Sequence, residues 1–293
     1  MLLLTGTTGF LGSHLLKHWI DQGREVVALK RSTSSLKRLG DYANKCRWYD
    51  VDKAGWQKAF TEQKITAVVH VATDYGRGKP LSHIVESNVL LTLWLVEAAR
   101  NNNVRLFINT DSFFNKGRLN YQYLGGYTLT KRMVELALPT YSEKDFKIVN
   151  IKLEHVYGPC DSKEKFATQM CLRLLRDEKN IAFTEGTQKR DFIYVSDVVS
   201  IYDTILSNYF QLKNFSEIPA GTGRAYSIRE FIEKMKLIIG ANTDLQFGSI
   251  PVRKGEFKES FADITILQAL GWQPQYTLEQ GLKEMIEQER KIV

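Results

Sequence analysis

The chain has 293 residues, 43% of them hydrophobic and 25% charged, enough apolar material for one large or two modest domains rather than a disordered polymer. No apolar run is long enough to span a bilayer, and the run in MLLLTGTTGF breaks at Thr5-Gly6, too early for a signal-peptide core, so a cytoplasmic protein is expected. The formal charge of +7 allows an anionic small substrate, and no basic and aromatic surface motif argues for nucleic acid.

From the N-terminus, LLLT (2–5) reads as a buried strand and TGTTGFLG (5–12) as a turn into a helix over about 10–22. EVVALK (25–30), RWYDV (47–51), AVVHVA (67–72), RLFINT (105–110) and KIVNIKL (147–153) are further strands, nearly continuous in apolar character as in a parallel sheet buried on both faces. Helical patterns lie between them at roughly 53–63, 82–102 and 127–143. The alternation predicts an α/β fold with a doubly wound parallel Rossmann sheet. After about residue 153 helical patterns near 163–177, 196–209, 227–239 and 278–291 alternate with short extended pieces. They predict a smaller, partly interleaved substrate lobe over about 154–189 and 219–293, with 1–153 and about 190–218 forming the dinucleotide domain. Cys46, Cys160 and Cys171 are scattered, and with the five histidines they show no metal-ligand spacing, so neither a disulfide scaffold nor a metal is expected.

Gly6, Gly9 and Gly12 have the spacing and the strand-to-helix context of a turn that lets backbone approach a pyrophosphate. The next strand ends in Lys30, Arg31 and Ser32, where an NAD site usually carries an acid for the ribose 2′-hydroxyl. Basic groups would pair with a 2′-phosphate, which points to NADPH; a solvated basic loop is the alternative. Asp50 and Val51 end the third strand as neighbours of the adenine, or as a turn residue and a core residue.

At the other end of the sheet, Thr110, Asp111 and Ser112 close the fifth strand, and Tyr127 and Lys131 lie one turn apart on the following helix, on the stripe of Val134 and Leu138. A buried lysine needs a partner or a task. Beside a tyrosine its charge favours tyrosinate and lowers the tyrosine pKa, while Thr110 can bond the same oxygen.

Together TGTTGFLG, the Thr110 strand end and YTLTK resemble the extended short-chain dehydrogenases/reductases, the NAD-dependent epimerase/dehydratase family that works on nucleotide sugars. VVHVAT (68–73), Asn88, HVYGP (155–159), RDFIYVSDVV (190–199), GTGRAYS (221–227) and VRKGE…FADITILQALGW (252–272) also have counterparts there. The resemblance implies that Tyr127 is the acid/base, that Lys131 activates it and holds the nicotinamide ribose, and that Thr110 is the usual hydroxyl. It implies cofactor contacts from Thr8, Phe10, Leu11, Val71, Ala72, Thr73 and Asn88. Substrate contacts would come from Asp111, Ser112, His155, Arg190 and Arg253, the two arginines on a diphosphate. Relatives often have asparagine in place of His155. Ser196 and Asp197 read as a helix cap and a first-turn acid, Arg190-Asp191 as a surface ion pair if not ligands, and His14, His18, His70 and His83 as packing or surface residues.

Sugar 4,6-dehydratases of the family typically read Thr-Asp-Glu where this chain reads Thr110-Asp111-Ser112, and serine is no base near neutral pH. NTDSFF with its short link to YTLTK, and KLEHVYGP, resemble within the family the group that makes CDP-abequose and CDP-paratose. That group reduces the 4-ketone of a CDP-3,6-dideoxyhexose with NADPH on the way to O-antigen sugars of lipopolysaccharide. A 4-epimerase holding NAD and a non-catalytic NADP(H)-sensing protein are the rival readings. The family also implies a homodimer pairing through segments 82–102 and 127–143.

Overall fold

The computed structural model describes residues 1–116, 124–253 and 255–292. The expected link between NTDSFF and YTLTK, and Lys254 of the VRKGE stretch, lie in part or whole outside the described residues. Two compact units are present, Met1–Lys152 with Tyr202–Ile218, and Leu153–Ile201 with Pro219–Val293. Residues 190–201, expected with the first unit, fall in the second.

The first unit is built on strands β1 (Leu2–Thr5), β2 (Val26–Lys30), β3 (Arg47–Asp50), β4 (Ala67–His70), β5 (Leu106–Ser112) and β6 (Lys147–Leu153), with a seventh at Phe215–Ala220. The sheet runs Phe215–Ala220, β6, β5, β4, β1, β2, β3, and the pairs from β5 through β3 are parallel. This is the doubly wound α/β order, and its direction reverses between β1 and β4. Helix α1 (Phe10–Asp21) follows β1; Leu81–Val85, a wider π turn at Glu86–Leu90 and α2 (Leu91–Asn101) follow β4; α3 (Gly125–Ala137) follows β5. Leu3, Val27, Val68, Phe107 and Ile148 from the strands are fully buried, packed in one core with Leu95, Val96 and Ala99 of α2 and Val134 of α3. Burying this apolar surface, at about 25 cal/mol per Å² of area, drives the layer packing.

Two expected elements differ. The pattern over 53–63 yields one helical turn, Lys58–Thr61, whose Ala59 and Phe60 are buried while its other residues face water. The segment 127–143 leaves α-helical geometry after Ala137, where Pro139 has no N–H to continue the ladder and a tighter turn, Leu138–Tyr141, follows.

In the second unit, Phe192–Tyr194 pairs in parallel with His155–Tyr157, and Tyr226–Ser227, Lys189–Arg190 and Glu259–Ser260 form a small sheet. Its core is aromatic: Phe192 stacks on Phe231 with ring centroids 3.9 Å apart, and Tyr157 meets Phe231 edge-on at 5.7 Å. Capping boxes start both late helices, Ser227 with Glu230 and Thr277 with Gln280. Among the described residues no helix is long and apolar enough to cross a membrane.

Candidate active site

The turn between β1 and α1 presses on the backbone after β4. Gly6 has φ +69°, and a Cβ there would stand 2.7 Å from Ala72 N; on Gly12 it would stand 2.1 Å from Gly6 O. Only glycine admits these approaches, and they occur where the strand order reverses, the place ligands occupy in such sheets. Gly9 N donates to Gly6 O at 2.9 Å, no side chain caps α1, and its first turn carries no acid, so the positive end of the helix faces this turn. Thr7 Oγ1 is buried and has no hydrogen-bond partner among the described residues. An uncapped helix end, a cradle closed to any Cβ and an orphaned hydroxyl fit the pyrophosphate of a dinucleotide. Thr8, Phe10 and Leu11 stand half-buried around it.

At the ends of β2 and β3 the expected phosphate-binding groups are partly spent. Lys30 and Asp50 are cross-strand partners, and Lys30 Nζ donates to Asp50 Oδ1 at 2.5 Å. Ser32 donates from both N and Oγ to Asp52, each at 2.7 Å. Arg31 is exposed and makes no ion pair among the described residues. Val51 is half-buried, with its N–H on Lys30 O at 2.8 Å.

After β4 the structure is tied by His70, buried at 1% exposure. Thr92 Oγ1 donates to Asn88 O at 2.6 Å, so it must accept from His70 Nε2 at 2.9 Å. His70 Nδ1 then accepts from Thr5 Oγ1 at 2.7 Å, and Thr5 Oγ1 accepts from Ala72 N at 3.2 Å. Burial, and secondarily the charge of Lys131, drop the His70 pKa to about 3, so the ring is neutral. Asn88 sits in the π turn with its side chain turned to protein: Oδ1 accepts from Asp74 N at 2.7 Å and from Thr73 Oγ1 at 3.4 Å, and Nδ2 donates to Asp74 O and Thr130 Oγ1. Val71 is half-buried beside this loop.

Tyr127 and Lys131 share the buried face of α3. Lys131 Nζ donates to Thr110 O at 2.6 Å and stands 5.7 Å from the centre of the Tyr127 ring. Burial lowers the Lys131 pKa to about 8 against the opposing charge of Asp111. Two expectations are corrected here. Tyr127 is not pushed toward tyrosinate: burial raises its pKa well above the usual value, Tyr75 adds to this, and a hydrogen bond with the Ser112 side chain only partly opposes it. And Thr110 does not reach Tyr127, because its Oγ1 pairs with Tyr202 Oη at 2.6 Å. Ser112 Oγ accepts from Phe114 N at 3.3 Å, leaving its own proton for the tyrosine. Asp111 is 3% exposed and its carboxylate is directed inward, onto Ser112 N, Asn115 Nδ2 and Asn150 Nδ2. An open cavity of about 370 Å³, lined in part by Tyr75, Lys79, Leu81, Ile84 and Gly126, reaches Tyr127.

In the second unit, Arg190 is 4% exposed, lies over the Phe257 ring at 4.3 Å and donates to Glu256 Oε1 at 2.9 Å. Its neighbour Asp191 is fully buried and accepts from Thr222 N and Oγ1, Gly223 N and Ala262 N, so the pair is not a surface ion pair. His155 Nδ1 lies 3.8 Å from Glu154 Oε2, and burial lowers its pKa. Arg253 is exposed. Asp197, in the first turn of Val195–Asn208, accepts from Gln275 N and Tyr276 N.

Residues 2–221 match the model of the NAD dependent epimerase/dehydratase family. The chain belongs to that family. CDP-abequose synthase of Salmonella muenchen is 34% identical over 288 residues, 97% of this chain and 96% of that one. Among solved structures, UDP-glucose 4-epimerase of Thermotoga maritima with UDP-glucose is 24% identical with a TM-score of 0.84, covering 99% of both chains. MoeE5 in complex with UDP-glucuronic acid and NAD is 25% identical with a TM-score of 0.84, covering 100% of this chain and 99% of that one. Within this epimerase/dehydratase frame, sequence reasoning missed Tyr75, which stacks on Tyr127 at 5.0 Å, as well as Asp52 and Glu256. No sequence signal marks Tyr75 or Asp52, and Glu256 lies in the VRKGE stretch without being singled out there; each is brought in by a loop whose path the strand pattern leaves free.

Proposed function

We propose that the protein reduces the C4 ketone of a CDP-4-keto-3,6-dideoxyhexose with NADPH, giving CDP-abequose or CDP-paratose for O-antigen assembly in the cytoplasm. One feature supports the direction of the reaction: burial, and then Tyr75, raise the Tyr127 pKa and so favour the phenol as a proton donor. Reduction needs a proton donor at the sugar O4, whereas an epimerase begins by taking a proton from a hydroxyl. The CDP-dideoxyhexose class rests on the likeness to CDP-abequose synthase across the full chain.

When bound, the dinucleotide supplies the hydride. The turn at Gly6, Gly9 and Gly12 holds its pyrophosphate, and Arg31 meets the 2′-phosphate. Tyr127 Oη gives its proton to the developing alkoxide, and Ser112, donating to Tyr127 Oη, stabilises the charge left on the tyrosine. Lys131 contributes the positive charge. Ser112, standing where a dehydratase has its carboxylate base, leaves the C5 proton in place. Arg190 and Arg253 bind the diphosphate, and the Arg190–Glu256 pair exchanges its carboxylate for a phosphate as substrate enters. Leu90, Trp94, Leu129, Met133 and Leu136 form an exposed apolar set on the helices Leu81–Asn101 and α3, which supports pairing with a second copy of the chain.

The test is oxidation of NADPH with CDP-4-keto-3,6-dideoxy-D-glucose beside an NADH control. Turnover that favours NADPH supports the reading, and the C4 configuration of the product names the sugar. No oxidation, with NAD retained on the purified protein, would instead identify a 4-epimerase.

A further inference from the structure

Asp111, near the end of β5, is 3% exposed, and both of its carboxylate oxygens accept hydrogen bonds from protein groups. Oδ1 accepts from Ser112 N at 2.7 Å; Oδ2 accepts from Asn115 Nδ2 and Asn150 Nδ2, both at 3.0 Å. Asn150 is fully buried and is itself oriented by Asn109, whose Nδ2 donates to Asn150 Oδ1 at 2.7 Å. Three amide side chains, from β5, β6 and the turn after β5, are thus committed to fixing one carboxylate. Such a cage is costly to build and removes Asp111 from the sugar. The residue before it, Thr110, receives Lys131 Nζ on its carbonyl at 2.6 Å, so the ammonium is docked on the same stretch of β5. A lysine at 6% exposure, bonded to a neutral carbonyl, needs a negative charge nearby to stay protonated.

We propose that Asp111 is a positioning residue: its caged carboxylate keeps Lys131 charged beside Tyr127 and takes no part in holding the substrate. The proposal rests on the reading of Lys131 as the cation of the reacting pair. Besides Asp111 on β5, the titratable groups around Lys131 among the described residues are Tyr127 on α3, Tyr75 stacked on it, and His70 on β4. Burial favours the neutral forms of His70 and Tyr127, and Asp111 is the acidic group of the set. Its charge opposes the burial that brings the Lys131 pKa down to about 8.

The test is a titration of Lys131 by NMR in protein carrying 13Cε-labelled lysine, with the signal assigned by its loss in Lys131→Met. Asp111→Asn should move the midpoint down by about one pH unit or more, the usual scale for removing an opposite charge. The basic limb of kcat/KM should move down with it while KM for the sugar nucleotide at pH 6.5 stays unchanged. An unmoved midpoint, or a raised KM with an unmoved limb, overturns the proposal. Should Asp111→Asn fail to fold, the wild type still decides: the Asp111 carboxyl carbon must show an inflection at the Lys131 midpoint, and its absence overturns the coupling. The NMR measurements need no substrate, so they stand even if the reductase reading fails.

Discussion

Gly12→Ala is a test in which two known effects oppose each other. Gly12 is the third residue of α1, and alanine in a helix interior ordinarily gains about 0.5–1 kcal/mol over glycine. Here the new Cβ would stand 2.1 Å from Gly6 O, 2.5 Å from Gly6 C and 2.9 Å from Thr7 N. All three are backbone atoms, so no side chain can swing aside. Gly6 is itself pressed against Ala72, so relief requires the whole turn to lift from the end of β4. Overpacking of this kind costs about 1–3 kcal/mol, more than the helix gain. The net expectation is a loss of stability in urea unfolding and a rise of at least about tenfold in the cofactor Kd, or about 1.4 kcal/mol. Gly23→Ala is the control: its φ is +73° but nothing lies within 4 Å of the added carbon, so it costs only left-handed strain, about 1–2 kcal/mol, and leaves Kd unchanged. A Gly12→Ala protein that is more stable than wild type and binds cofactor equally well would refute the steric argument.

Four further outcomes are expected. Tyr127→Phe keeps the fold and cofactor binding while kcat falls by about 10²–10⁴, checked by steady-state kinetics beside a binding titration. Lys131→Met abolishes activity yet stabilises the first unit by up to about 3 kcal/mol at pH 7, because the folded protein no longer buries an ammonium. That gain shrinks as pH rises from about 8 to 10.5, where wild-type Lys131 has already lost its proton when folded and keeps it when unfolded. His70, with its folded pKa near 3 against 6.5 unfolded, costs stability as pH falls below 6.5, by about 1.4 kcal/mol per pH unit, and urea midpoints at pH 7 and 5 should differ less in His70→Gln than in wild type. Arg31→Ala should raise KM for NADPH about tenfold or more and leave KM for NADH alone; equal effects on both cofactors would remove the 2′-phosphate role.

What the sequence made legible was what repeats along the chain. The apolar runs marked six of the seven strands of the first sheet, and Gly6, Gly9 and Gly12 marked the turn after β1 where backbone closes on backbone. FSEIPA at 215–220 went unrecognised because its apolar content is thin: Ile218 and Ala220 are buried, and the rest is half-covered. The site was harder because it depends on register. Thr110 and Ser112 lie two apart on one strand and so share a face, and spacing alone does not say which meets Tyr127. Lys30 reads as an open cation until the pairing of β2 with β3 sets Asp50 opposite it. The tyrosine pKa was misjudged for a related reason: the pair was weighed as two charges, while the depth of α3 in the core made desolvation the larger effect.

The remaining order in the first unit comes from polar groups that contact no ligand. From the turn after β4 a single chain of hydrogen bonds runs in one direction: Ala72 N to Thr5 Oγ1, Thr5 to His70, His70 to Thr92, and Thr92 to Asn88 O. The Asn88 side chain then donates to Thr130 Oγ1 at 3.1 Å, and Thr130 donates to Tyr127 O at 2.9 Å. Each hydroxyl in it both accepts and donates, so reversing one member leaves two like groups facing each other. Such a chain is worth more than its separate bonds because any break strands a buried polar atom, at about 1–3 kcal/mol. It joins the glycine turn that would carry a pyrophosphate to the helix turn that would carry the acid. In the proposed reduction the hydride and the proton must arrive at fixed separation, and misplacement by about 1 Å costs on the order of a hundredfold in rate. His70→Gln therefore loses turnover along with the acid sensitivity that the buried ring imposes, although the ring touches neither cofactor turn nor tyrosine directly.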